Sequence, residues 1–551
     1  MKNSPIGELL LATGHVTSEQ LAVALQTQKA NPGYIGEILV GLDFVTADEI
    51  ARAVAAQHKL PYVDLTITVP QKKALEAVSK EVALYNTVLP LKVRKGVLTV
   101  ATHDPAQPEL VQQLREAAGM EVALAISDKA LIAQSVEQYY FQLENPIEDR
   151  IGALVAAAAA DEEIDIELFL ELLIENAIKD RATDIHIRPQ ALASHVLYRV
   201  DGVLRHYYSF PLSIHRNVVS RAKVLSDMDI TRQRVPQDGG FPFRYLRLTY
   251  DIRVALIPTP VGENMVLRVL PKSEALHGLG RLGFDDSRVA ALARCLHRQS
   301  GIVLVVGPSG GGKTTTLFSA LREADILQRN VVTVEDPIEY QMALVQQTGV
   351  NEAAGYTFSE SLQHLVRQDA DIIVFGEIRN QESAAAVVRG ALSGHLILST
   401  MTASDAQGAI ARLLDFGIKS YMLSSSLLAV LYQRLARRLC DNCKRPVTTS
   451  WGELAAHGLV SKAAPNTQDE VTVYEAVGCE HCRQSGYLGR IAIAELIDVN
   501  DDVRRLIDKG KLSFDSSDLL QRQGNSTIRD DALDKLLAGV CSLEELLRVL
   551  A

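Results

Sequence analysis

The sequence predicts a multidomain α/β protein: a helical-repeat N-terminal region, an α/β domain, and a P-loop core that carries a four-cysteine insert and a helical C-terminus. Three observations carry this. The octapeptide Gly307-Pro308-Ser309-Gly310-Gly311-Gly312-Lys313-Thr314 has Walker A spacing and stands between an apolar strand run and a helix-forming run. Two further apolar runs, Val331–Val334 and Ile372–Phe375, lead into carboxylates. At 551 residues the chain exceeds what one hydrophobic core usually covers, so about three to five domains are expected.

In chain order, residues 1–65 contain a tandem repeat. Superposing Ile6-Gly7-Glu8-Leu9-Leu10 on Ile35-Gly36-Glu37-Ile38-Leu39 gives a period of 29 residues, which also places Val16 on Val45, Leu21 on Ile50 and Gln28 on Gln57. Two helix-turn-helix units follow. Thr17 and Thr46, each with Gln20 or Glu49 three positions on, suit helix N-termini. Residues 66–145 mix short helices and strands, Gly96–Ala101 being the clearest strand. The alanine tract and acids of residues 146–165 read as an adaptable helical linker, with a buried small-residue helix as the alternative. Residues 166–272 form an α/β domain in which every even position from Leu246 to Leu256 is apolar, the mark of a half-buried strand. Gly278 and Gly280 then offer a hinge into the nucleotide core, 273–436. A metal-binding subdomain, 437–500, and a helical C-terminal region, 501–551, complete the chain.

Within the core, Gly301–Val306 reads as a buried parallel strand and Thr315 to Asp325 as a helix whose N-terminal dipole faces bound phosphates. Gly310, Gly311 and Gly312 let backbone N–H groups approach those phosphates, with Gly307, Pro308, Ser309 and Thr315 completing the binding set. Lys313 is expected on the β- and γ-phosphates of ATP and the Thr314 hydroxyl on Mg²⁺. Hydrolysis needs acids at strand ends near this loop. Glu377 ends one apolar strand and is assigned the Mg²⁺-linked role by elimination, since Asp371 stands six extended residues, about 20 Å, away. Glu339, after the acidic turn that follows Val334, is the candidate general base or water-orienting residue. Cys440-x-x-Cys443 and Cys479-x-x-Cys482 supply four thiolates, a closed set suited to structural Zn²⁺. Cys295 and Cys541 stand alone in helical patterns.

A formal charge of −11 argues against broad nucleic-acid binding, although Arg434, Arg437, Arg438, Lys444 and Arg445 form a local basic cluster. No apolar run approaches the ~20 residues of a spanning helix, and no secretory apolar core follows Met1. A cytoplasmic location is expected, with membrane contact only through partners.

The ordered set Gly307 to Thr314, Glu335-Asp336-Pro337-Ile338-Glu339, Leu365 to Asp371 running into Gly376-Glu377-Ile378-Arg379, and Gly394-His395-Leu396-Ile397-Leu398-Ser399-Thr400 resembles the secretion ATPases of type II secretion systems and type IV pili. The long N-terminal region and the cysteine insert match the pilus-extension and secretion subgroup. The resemblance implies a PAS-like domain before a RecA-like core and a homohexamer with ATP between the two. It carries Glu335, Asp336 and Glu339 over to an acidic box, and His395 to a γ-phosphate sensor. Arg253 and Arg268 are the candidate arginines that reach the phosphates from the preceding domain. The chain departs from the family pattern at Arg188, Ala370, Asn380 and Thr402, the last standing where a second histidine is usual. The repeat resembles an MshEN-like domain that binds cyclic di-GMP. Pro5 and Tyr34 occupy the positions where binders begin each unit with arginine, and Asp43 replaces a glycine, so a protein-docking scaffold stands beside ligand binding.

The function so implied is ATP hydrolysis that powers type IV pilus extension or pseudopilus assembly by acting on an inner-membrane platform protein, with DNA-uptake machinery as a variant. The alternative class is a nucleotide-gated module that senses cyclic di-GMP or docks partners with little turnover.

Overall fold

The computed structural model describes residues 5–107, 109–271, 276, 278–351, 354–460, 467–509, 519–520, 523 and 525–551. The predicted boundary between 272 and 273 lies outside the described residues. The chain divides into two compact units, one spanning Ala51–Glu274 and the other joining Asn3–Ile50 to Ala275–Ala551.

The first unit holds two sheets. β1 (Val88–Arg94), β2 (Val97–Thr102) and β3 (Glu121–Ile126) form a small one, β2 being the predicted strand near Gly96. The larger sheet contains β4 (Ala182–Pro189), β5 (Ser194–Val200), β6 (Val203–Phe210), β7 (Gln237–Tyr245), β8 (Leu248–Thr259) and β9 (Gly262–Pro271), in the order β6-β5-β4-β9-β8-β7. The alternation read from Leu246 to Leu256 shows from Ile252 onward, with Ile252, Val254 and Leu256 buried and Arg253 exposed. Leu246, at a φ of 55°, and Arg247 instead turn the β7–β8 hairpin. Of the two readings of residues 146–165, the segment adopts the buried helix and not the free linker. Residues Ile147–Ala159 form a helix that buries Ile147 and Ile151 fully in the core of the larger sheet, alongside Phe169 and Leu173. The two isoleucines stand four apart, so they share one helix face, and it is this stripe that packs the segment.

The second unit begins with the tandem repeat: α1 (Ile6–Ala12), α2 (Ser18–Ala30), α3 (Ile35–Gly41) and α4 (Ala47–His58), whose first turn belongs here. Both predicted capping boxes are present, Thr17 with Gln20 and Thr46 with Glu49. Gly14 and Asp43, one repeat apart, both adopt the left-handed conformation at φ of 74° and 56°. Asp43 bears the strain that glycine avoids, and its carboxylate accepts a 2.6 Å hydrogen bond from the Ala343 N–H. Asp48 pairs with Arg281 at 3.2 Å and Glu49 with Arg322 at 3.3 Å, which sets the repeat against the nucleotide core.

That core is a seven-stranded sheet of β10 (Gly301–Val306), β11 (Val331–Glu335), β12 (Gln346–Gly349), β13 (Ile372–Glu377), β14 (Leu396–Met401), β15 (Leu427–Leu439) and β18 (Tyr487–Asp498), with the short hairpin β16 (Arg445–Ser450) and β17 (Glu470–Glu475) outside it. The order is β12-β11-β13-β14-β10-β15-β18, parallel except for β18. Ile302, Leu304 and Val306 enter one hydrophobic cluster while Val303 and Val305 enter the other, so β10 is buried on both faces as its unbroken apolar run demands. The predicted border at 436/437 cuts through β15, and β18 returns from the cysteine insert to pair with it along most of its length. The cysteine subdomain is thus an excursion from the core sheet.

Candidate nucleotide-binding and catalytic site

The P-loop leaves the C-terminal end of β10 and enters the helix Lys313–Leu321, shorter than the predicted Thr315–Asp325 run at its far end. At Gly307 a Cβ would lie 2.3 Å from the Gln433 carbonyl oxygen, so only glycine fits. Gly312 caps the helix at φ 77°. The first-turn N–H groups have no intrahelical acceptors, and with the helix dipole they suit an anion. Lys313 Nζ donates to the carbonyls of Gly307 and Pro308 at 3.2 and 3.0 Å, folded over the loop it would share with phosphates. Burial holds its pKa below the ordinary lysine value, and the nearby Glu377 carboxylate offsets only part of that. Thr315 Oγ1 hydrogen-bonds the Tyr340 hydroxyl at 2.8 Å, which ties the first turn of the helix to the segment after Glu339.

The acids gather at the same ends of the strands. Glu377 ends β13, and its two oxygens accept from Arg379 Nε at 2.9 Å and Thr402 Oγ1 at 3.1 Å. Arg379 also reaches Asp336 at 3.7 Å, so one guanidinium links the acidic turn to the β13 carboxylate. Glu335 ends β11 and is 3 % exposed. Its Oε1 accepts from Thr333 at 2.6 Å and Gln347 at 2.9 Å, while Oε2 is buried with no hydrogen-bond partner. Burial raises its pKa, which the hydrogen bonds only partly offset. Glu339 lies exposed four residues on. Hydroxyl and carboxylate oxygens at Thr314 and Glu377 are hard donors of the kind magnesium takes.

Other expected residues stand elsewhere. His395 precedes β14 beside Gly301, where its Nδ1 contacts the Gly390 carbonyl at 3.1 Å. Since β10 and β14 run parallel in register, it lies at the opposite end of the strands from Lys313, about 20 Å away. Within one chain, then, His395 cannot sense the γ-phosphate: a strand reverses neither direction nor end. Asp371 immediately precedes β13 and accepts from the Asn330 N–H at 2.8 Å, away from the site as expected. Arg253 and Arg268, in the first unit, face each other across β8 and β9. Arg268 donates to Asp184 at 3.1 Å, and Arg253 to Asp251 at 3.5 Å. The basic cluster is largely neutralised: Arg437 pairs with buried Glu545 at 2.7 Å, Arg438 and Lys444 with Asp441, and Arg445 with Glu475.

Sequence reasoning did not assign three participants. Gln433 is fully buried behind the loop and donates to the Gly311 carbonyl at 2.6 Å. Arg379 and Thr402 hold Glu377. Arg379 was visible only as part of a motif, and Thr402 only as a departure from one, because contacts between strand ends leave no local periodicity.

The four insert cysteines converge. Their sulfurs all lie within 4.8 Å of one another, with Cys440–Cys479, Cys443–Cys482 and Cys479–Cys482 at 3.9, 3.7 and 3.7 Å. A tetrahedral zinc with Zn–S bonds of about 2.3 Å requires sulfur separations of about 3.8 Å. N–H groups of Gly478 and Gly486 point at the sulfurs of Cys443 and Cys482 at 3.4 and 3.1 Å, which favours thiolate. Cys295 lies in a helix as expected, whereas Cys541 is buried between two helices.

Among the described residues no helix is long and apolar enough to cross a membrane. The chain is 34% identical over 557 residues to the type IV pilus assembly ATPase PilB of Myxococcus xanthus strain DK1622, covering 98% of each. It is 42% identical over 375 residues to type II secretion system protein E of Dickeya dadantii strain 3937, covering 68% of this chain and 73% of that one. Among solved structures, the ATPase DotB of Legionella pneumophila shares the fold, with a TM-score of 0.50 at 19% identity, over 69% of this chain and 94% of that one. The MshEN domain profile matches residues 58–145, which places that likeness mainly on the small-sheet region rather than on the tandem repeat. The type II/IV secretion system protein profile matches residues 159–548, and with the P-loop and acids in place the chain belongs to that family of secretion ATPases.

Proposed function

We propose that this protein is a Mg²⁺-dependent ATPase whose turnover, in a homohexameric ring, powers assembly of a type IV pilus at the cytoplasmic face of the inner membrane. The observation that carries the reading is the meeting of the Lys313 loop and the Glu377–Arg379–Asp336 network at one end of the core sheet. The loop N–H groups hold the α- and β-phosphates and Lys313 the β- and γ-phosphates. Glu339 orients the attacking water, which adds to the γ-phosphorus as the bond to the β-bridging oxygen breaks, giving ADP and phosphate. Magnesium, taken up through Thr314 and Glu377, supplies charge neutralisation at the phosphate oxygens. Glu335 and Asp336 support that acid set, and Arg253 and Arg268 approach the phosphates when the lobes close. Opening after hydrolysis moves an inner-membrane platform protein. Zinc on Cys440, Cys443, Cys479 and Cys482 is structural.

Likeness along the whole chain to a pilus assembly ATPase favours that machine. The higher identity to type II secretion system protein E, over a shorter stretch of 375 residues, favours pseudopilus assembly as the second reading. The tandem repeat is read as a docking scaffold, since its acids already engage the core and Pro5 and Tyr34 begin its units. Calorimetric heat with cyclic di-GMP would overturn that part.

The deciding measurement is phosphate release by purified protein with and without Mg²⁺. Glu377→Gln should retain ATP and lose at least about a hundredfold in turnover, while Lys313→Ala should lose nucleotide affinity. Equal rates for wild type and Glu377→Gln would overturn the mechanism.

A further inference from the structure

We infer that Gln433 is a positioning residue for the phosphate cradle, aiming the Gly312 N–H into the nucleotide from outside the site. This rests on the ATPase reading above. Gln433 lies on β15, one residue past Tyr432, which is in register with Val306 at the end of the P-loop strand. Its side chain is fully buried, and Nε2 donates to the Gly311 carbonyl at 2.6 Å. Its own carbonyl oxygen presses on Gly307, the first loop residue.

The consequence follows from peptide geometry. The Gly311 C=O and the Gly312 N–H belong to one planar trans unit and point in opposite directions. A donor on β15 that fixes the carbonyl toward that strand therefore turns the N–H away from it. Glycines at 310 to 312 allow the loop many orientations, and a bare run of glycines would sample them. Gln433 selects one.

The amide's orientation is chemically fixed as well, because turning it over would set Oε1 against the Gly311 oxygen. In the orientation adopted, Oε1 is buried without a hydrogen-bond partner. A buried amide left half satisfied costs stability, so a residue chosen for packing alone would be apolar. The contact to Gly311 is what a glutamine adds here.

Gln433→Met keeps length and apolar packing but removes the donor. In the full-length protein, equilibrium binding of ADP and of AMP should separate the roles, because the Gly312 N–H is the donor assigned to the β-phosphate, which AMP lacks. The expected result is ADP affinity lowered about tenfold, the scale of one hydrogen bond to a charged group, with AMP affinity unchanged and KM for ATP raised more than kcat falls. Should the methionine variant misfold, Gln433→Glu gives a second reading. Protonated, the buried carboxyl can still donate to Gly311. Deprotonated it cannot, so its ADP affinity should fall with rising pH relative to wild type. Undiminished ADP binding by Gln433→Met, or equal losses for ADP and AMP, overturns the inference. So does a Gln433→Glu protein whose ADP affinity follows the wild-type pH profile. A wild type that binds neither ADP nor ATP overturns the ATPase reading first, a distinct result.

Discussion

At Glu335 burial and hydrogen bonding act in opposite directions, and burial wins, holding the carboxyl above the ordinary carboxylate pKa of about 4.3. An acid with a raised native pKa binds more protons folded than unfolded, so its contribution to stability is complete below the unfolded value and is lost as pH rises through the native one. Glu335→Gln should therefore flatten the decline in stability across that window, as read by denaturant midpoints from pH 4 to 8. An unchanged pH profile would assign the decline to other groups. Two departures from the family pattern also find their reasons at this scale. Asn380 caps the helix Gln381–Leu392 through Ser383, a task asparagine performs as well as aspartate. Thr402 gives its hydroxyl to Glu377. Walker A was legible residue by residue because its chemistry is written in consecutive positions, whereas His395 was misplaced because the end of a strand a residue occupies depends on the sheet.

Among the elements, the tandem repeat was read most fully, since period, caps and turns are local properties. Its contact with the core was not, because Asp43 gives no sequence sign of the Ala343 N–H 300 residues away. Asp43→Gly is an informative change: it relieves a left-handed backbone while removing the carboxylate. The repeat's own melting should hold or rise by up to about 1 kcal/mol, while hydrogen exchange at Ala343 quickens. Protection that persists at Ala343 would show that the amide is held some other way. The helix Ile147–Ala159 carries the opposite lesson. Its alanines suggested a linker, but two isoleucines on one face are enough to anchor it.

On the scale of the whole molecule, the cysteine cluster sits where β15 leaves and β18 re-enters the core sheet, with Cys440 directly after Leu439 and Cys482 five residues before Tyr487. Zinc there would pin two neighbouring strands, one of which carries Gln433. Cys440→Ser or chelation should lower the unfolding midpoint and also weaken ADP binding. A loss of stability with nucleotide affinity intact would confine the zinc to the insert. Turnover per subunit should rise with protein concentration as rings form, and strict proportionality to concentration would argue against sites shared between subunits.

By itself the sequence determined the P-loop, the two acid-tipped strands, the repeat with its caps and the cysteine quartet, because each is specified by residues close in the chain or by a chemistry that admits few residue types. Only the tertiary structure decided that Thr402, Arg379 and Gln433 meet the site, that His395 does not, and that β18 belongs to the core. Those outcomes depend on strand order and register, which are fixed by burying both faces of one sheet across residues far apart in sequence.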